Sequence, residues 1–158
     1  MESKRELAAA KFLEGYNCAQ AVLIAFCQEL GMDEKTAARL GSSLGGGMGQ
    51  LREVCGVVSA MFLVAGMAAG YDDPAAKEEK SAHYARIRSM AADFENRNGS
   101  ILCRELLKNA KANIQAVEHP RTKEFYAKRP CVKYVCDAAE QLEGFLQAHR
   151  AAGAGETP

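Results

Sequence analysis

The feature that most constrains the fold is an uncharged run from Val54 to Gly70, which contains no Asp, Glu, Lys or Arg. Because the run is apolar on every side of a helix, it must be buried in a protein core or inserted in a membrane. Its 17 residues fall short of the ~20 that a bilayer-spanning helix needs, and Cys55, Ser59 and three glycines reduce its hydrophobicity. We therefore predict a buried central helix at about 54–70 and no membrane insertion.

Apolar residues at helical spacing predict further helices on both sides of this run. Asn17, a good N-cap, opens a helix that continues to Leu30, and a long helix covers about 72–98. Ser100 caps a short helix, the connection at 119–130 is irregular, and the last helix runs from about Pro130 to about Arg150. No segment alternates as a strand does. The predicted fold is all-α, a bundle of about six helices around the buried central one.

The length and charge of the chain limit its organisation and its partners. A length of 158 residues suits one domain, which we place at 1–150, followed by a disordered tail, AAGAGETP, at 151–158. Lys plus Arg and Asp plus Glu each number 20, so no overall field attracts nucleic acid. The charged N-terminus MESKRELAAAKFLEG lacks the apolar core of a secretory signal, which predicts a cytoplasmic location. An exposed apolar helix face would allow a homodimer.

The six cysteines are the most informative residues for function. Because cytosolic thiols are kept reduced, they are more easily explained as metal ligands or redox thiols than as a disulfide framework. Four of them lie at predicted helix starts, where the positive end of the helix lowers the pKa of a thiol: Cys18, Cys55, Cys103 and Cys131. Lys128, Arg129 and Lys133 add positive charge around Cys131. Cys27 and Cys136 continue apolar stripes, and we expect both to pack in the core.

Several segments together resemble a known family. They are GYNCAQAVLIAF, GGGMGQLREVCGVVSAMFLVAG, the lone cysteine in ILCRELL, and Cys131 before the last helix. These residues resemble the C_GCAxxG_C_C family, which is described as redox-active and is similar to the non-haem part of split-Soret cytochromes. The resemblance implies a small helical protein with four signature cysteines, and these correspond to Cys18, Cys55, Cys103 and Cys131.

Four thiolates suit an iron–sulfur cluster or zinc. The signature cysteines are 37, 48 and 28 residues apart, whereas structural zinc sites use close pairs such as CxxC, so we favour a cluster assembled by tertiary structure. Gly46, Gly47 and Gly56 would let the backbone approach it and donate N–H bonds to its sulfurs. The predicted function is electron transfer with a redox partner protein. A metal-free thiol–disulfide oxidoreductase and a structural zinc protein stay open as alternatives, so the sequence does not decide whether the protein is an enzyme.

Overall fold

The computed structural model describes residues 2–154, and in this range the chain forms eight helices. They are α1 (Lys4–Leu13), α2 (Cys18–Ala25), α3 (Glu34–Gly41), α4 (Gly56–Ala69), α5 (Lys77–Asn98), α6 (Cys103–Asn109), α7 (Lys123–Lys128) and α8 (Cys131–Ala154). The same range contains no β-strand, only one isolated antiparallel bridge between Val54 and Leu102. The predicted all-α class is therefore confirmed.

The core forms where α2, α4 and α8 pack against one another, with α1 covering α2 and α8. Helix α4 contacts α2, α5 and α8 and buries seven residues between Gly56 and Ala65, as expected for a central helix. One side of α4 is nevertheless open, because Leu63 and Met67 are 39% and 59% exposed. Helix α2 is enclosed more completely, since Ala19 and all of residues 21–25 are buried. The apolar character of the sequence alone could not predict that α2 is more fully buried than α4.

The described residues form eight helices rather than the predicted six or so. One helix that the sequence analysis did not anticipate is α7, within the connection predicted to be irregular. Thr122 caps it by accepting a hydrogen bond from the Phe125 backbone N–H at 3.2 Å. It ends at Arg129, which is extended because the next residue is Pro130. A helix of six residues shows too few turns for its periodicity to be recognised.

Several helix ends differ from the predicted ones. Helix α2 ends at Ala25, and residues 26–31 form turns instead of continuing the helix to Leu30. Helix α6 begins at Cys103 because the Ser100 hydroxyl accepts from the Leu102 N–H at 3.0 Å, which forms a turn before the helix rather than capping it. Helix α8 continues to Ala154 through the first half of the predicted tail. Residues 155–158 lie outside the described range.

A short antiparallel pairing connects the start of α4 to the start of α6. The Cys55 N–H donates to the Ile101 carbonyl at 2.8 Å, and the Cys103 N–H donates to the Glu53 carbonyl at 2.6 Å. These bonds hold two of the signature cysteines on neighbouring backbone segments. Within 2–154, no helix combines the length and the apolar character that crossing a bilayer requires.

Candidate functional site

The four signature cysteines lie at four helix starts and line one cavity of about 70 Å³. Cys18, Cys103 and Cys131 are the first residues of α2, α6 and α8, and Cys55 is the N-cap of α4. Neither Cys27 nor Cys136 lines this cavity. Cys27 packs at the edge of the core, as predicted, while Cys136 is buried on α8 outside the main core cluster. The fold thus gathers around one space the cysteines that helix position had singled out.

Cys18 and Cys55 are in direct contact within the cavity. The Cys55 thiol donates a hydrogen bond to the Cys18 sulfur, and the backbone N–H groups of Gly46 and Ala19 donate to the same sulfur. Led by the bond from Cys55, these contacts lower the pKa of Cys18 from 9.0 to about 6, although burial opposes them. Of the four cavity thiols, Cys18 is the one whose pKa is lowered toward the thiolate, and it is the sulfur best prepared to act as a nucleophile or ligand.

The other three thiols have raised pKa values, so the predicted lowering at every helix start is wrong for them. The pKa of Cys55 is raised well above its ordinary value, because the Cys55 thiol donates a hydrogen bond to Cys18 and because it is buried. Burial raises the pKa of Cys131 to about 12 and also raises that of Cys103, even though Arg52 Nη1 lies 3.8 Å from the Cys103 sulfur. In a closed cavity, lost hydration of the thiolate outweighs the partial charge of a helix end, and the Cys18 thiolate opposes a second negative charge.

The glycine-rich loop forms a left-handed helical turn against the cysteines. Residues 46–50 all have positive φ, between 55° and 72°, and three of the five are glycines, which adopt this conformation without a Cβ clash. Gly46 donates its N–H to Cys18. A Cβ on Gly47 would lie 2.7 Å from the Cys103 Cβ, and a Cβ on Gly56 would lie 2.7 Å from the Cys18 sulfur. Each of the three predicted glycines therefore contacts a signature cysteine.

Three arginines also line the cavity: Arg52, Arg121 and Arg129. Of the three basic residues expected around Cys131, only Arg129 lines the cavity, since Lys133 binds Asn98 and Asp137. Arg52 and Arg121 were missed by the sequence analysis. Arg52 stands three residues before Cys55, a spacing that could have drawn attention to it, whereas Arg121 lies in a connection that carries no recognisable motif.

The chemistry of the four thiols favours a bound metal or cluster, whereas their positions do not form a closely grouped set of metal ligands. Four thiols around one cavity are the soft ligands that iron–sulfur clusters and zinc prefer. In residues 2–154, however, no three side chains among His, Cys, Asp and Glu are grouped closely enough to hold a metal ion. The ligand chemistry therefore fits a cluster, while the arrangement joins the Cys18 and Cys55 sulfurs by a hydrogen bond.

An all-helical fold with four cysteines around one cavity defines a class of small cysteine-centred helical proteins. Comparison with known families identifies the family to which the chain belongs. The family model described as "Putative redox-active protein (C_GCAxxG_C_C)" matches residues 16–145, and the chain belongs to this family. No curated protein and no solved structure matches the chain.

Proposed function

We propose that the four-cysteine cavity holds an iron–sulfur cluster and that the protein exchanges electrons with a partner protein. The supporting observation is that Cys18, Cys55, Cys103 and Cys131 come from four separate helix starts and line one cavity. Bound to four thiolates, such a cluster would supply one-electron transfer. A redox function based on only two thiols would leave no role for the other two cysteines of the cavity.

The residues around the cavity suit a negatively charged group. The pKa of Cys18 is lowered toward the thiolate, and Gly46 donates its N–H to the Cys18 sulfur, a contact of the kind that tunes the potential of a cluster. Arg52, Arg121 and Arg129 supply positive charge that would offset further thiolates and make deprotonation of Cys103 and Cys131 less costly. Cys55 and Cys103 are buried, whereas Cys18 and Cys131 are partly exposed, so the site is only partly shielded from water.

The contact between Cys18 and Cys55 favours a second candidate, thiol–disulfide exchange without metal. In this mechanism the Cys18 thiolate attacks a disulfide of the partner and displaces one partner sulfur as a thiolate. Cys55 then loses its proton and attacks the Cys18 sulfur, which releases the second partner thiol. Two thiols of this chain become one disulfide, and one disulfide of the partner becomes two thiols, so atoms and electrons balance.

The test is the iron, acid-labile sulfide and zinc content of protein purified without oxygen, together with its visible absorption spectrum. We expect iron and sulfide in stoichiometric amounts, with a chromophore that disappears in Cys55→Ser. Cys27→Ser and Cys136→Ser are the matched controls, because both remove a cysteine outside the cavity, and both should retain the chromophore. Zinc without iron would favour a structural zinc site instead.

Metal content and disulfide mapping of the purified protein separate the two candidate functions. If the purified protein lacks metal and a Cys18–Cys55 disulfide forms reversibly, as peptide mapping would show, thiol–disulfide exchange replaces the cluster. We place this function in the cytoplasm, where thiols are kept reduced and are available as ligands or redox groups.

A further inference from the structure

A wider space of about 390 Å³, which we call the vestibule, adjoins the cysteine cavity. The two spaces share lining residues, among them Asn17, Gly46 and the three arginines Arg52, Arg121 and Arg129. The guanidinium groups therefore stand at the boundary between the vestibule and the cysteines. A molecule that enters the vestibule meets this positive charge beside the cysteine cavity, where Arg52 Nη1 lies 3.8 Å from the Cys103 sulfur.

Within residues 2–154, no carboxylate forms an ion pair with the arginines of the vestibule, Arg52, Arg121 and Arg129. Glu118 is the single acidic residue among those that line the vestibule, and it forms no ion pair with them. Burial lowers the pKa of Arg129, the neighbouring Cys131 and Cys103 oppose this lowering, and the charges of Arg52 and Arg121 add to it.

The arginines are held in place by groups other than carboxylates. Arg52 Nε donates to the Ile114 carbonyl at 3.0 Å, and Arg129 Nη2 donates to the Asn113 carbonyl at 2.8 Å. The Arg121 guanidinium lies 4.8 Å from the centre of the Phe125 ring, over its face, and makes no hydrogen bond to the part of the protein described. Its donors are therefore available to a ligand, and its position is fixed before the ligand arrives.

A histidine adds a further unsatisfied polar group. The Nε2 atom of His119 is shielded from solvent, has no hydrogen-bond partner, and belongs to a side chain that lines the vestibule. A buried ring nitrogen without a partner is costly unless something bonds to it. Together with the unpaired guanidinium groups, it indicates a ligand that offers oxygen atoms and negative charge.

We propose that the vestibule binds a small oxyanion and presents it to the cysteine cavity. Arg121 and Arg129 contact the anion, while Arg52, which is held by the 114–115 backbone and lies near Cys103, completes the positive wall. This deepens the proposed function, since it rests on the cavity as the redox centre and names an oxyanion as the class of small molecule that reaches it. The occupant is a small molecule because a space of about 390 Å³ is too small for a folded segment.

The test is calorimetric titration of the full chain, as purified, with inorganic sulfate at constant ionic strength. We expect saturable binding that Arg121→Gln weakens by about fivefold or more, the size expected for loss of one charge near the site. Arg121→Lys should retain most of the affinity because it keeps the charge. Arg88→Gln is the matched control, since Arg88 is exposed on α5 away from the vestibule, and it should bind like the parent protein.

Two results would overturn the proposal. One is a sulfate affinity that is equal in the parent protein, Arg121→Gln and Arg88→Gln. The other is absence of sulfate binding while a short polyglutamate peptide binds, which would mean that the arginines dock an acidic protein surface. Metal analysis of the same samples is independent of these results, so loss of the cluster proposal and loss of the anion proposal are distinguishable.

Discussion

Replacing Cys55 by Ala should raise the pKa of Cys18, because the Cys55 thiol is the leading cause of its low value. The change from 9.0 to about 6 corresponds to about 4 kcal/mol of preference for the thiolate, at about 1.4 kcal/mol for each unit of pKa. A hydrogen bond to a charged group contributes about 1.5–3 kcal/mol, which is about one to two of these units. We therefore expect a Cys18 pKa of about 7 to 8 in Cys55→Ala, because the N–H groups of Gly46 and Ala19 remain.

The assay is the pH dependence of the Cys18 alkylation rate by iodoacetamide, measured on the reduced, metal-free chain and quantified by peptide mass spectrometry. At pH 7 the rate should fall by about two- to tenfold in Cys55→Ala, following the smaller thiolate fraction. Cys55→Ser is the matched control, because its hydroxyl keeps a donor, and it should retain most of the reactivity. An unchanged midpoint of the pH–rate profile in Cys55→Ala would refute the assignment of the low Cys18 pKa to this hydrogen bond. An equal rise of the Cys18 pKa in Cys55→Ala and Cys55→Ser would refute it as well.

Three further predictions follow from the same contacts. Gly47→Ala should destabilise the protein by about 2–5 kcal/mol in denaturant unfolding, because the added Cβ brings both left-handed backbone strain and overpacking against Cys103. Gly49 also has a positive φ, but a Cβ there would have no atom within 4 Å, so Gly49→Ala should cost only about 1–2 kcal/mol. Equal losses would contradict the steric argument. Gly56→Ala should displace the Cys18 sulfur and raise the pKa of Cys18, measured by the same alkylation profile. The free energy of unfolding should rise from pH 6 to 9, because the pKa of Cys18 is lower in the folded than in the unfolded protein. It should fall from pH 9 to 12, because folding raises the pKa of Cys131. If the rise between pH 6 and 9 is lost in Cys18→Ser, Cys18 is its source.

The helical class and the choice of cysteines could be predicted from local sequence. A capping box at Asn17 and Gln20 fixes the start of α2, and this start alone places Cys18 on the first helical residue. Helix starts depend on the few residues around them, which explains why this part of the analysis succeeded. The ends of α2 and α8 depend on packing with other helices, and they were predicted less well.

The pKa values of the cysteines could not be predicted in the same way. A helix start gives every thiol the same partial positive charge, but the outcome also depends on burial and on which sulfur donates to which. Cys18 receives the bond from Cys55 and becomes the thiolate, whereas Cys131 is buried without such a donor among the causes of its shift, and its pKa rises. These differences arise from tertiary contacts between residues far apart in the chain.

The sequence by itself determined that this chain forms helices and that four of its cysteines stand at helix starts, because capping and periodicity act over a few neighbouring residues. Only the tertiary structure decided that these cysteines surround one cavity, that the pKa of Cys18 is the one lowered, and that Arg52 and Arg121 line the same cavity. Charge and burial in a closed space depend on all the segments that enclose it, and those segments are brought together only by packing of the core.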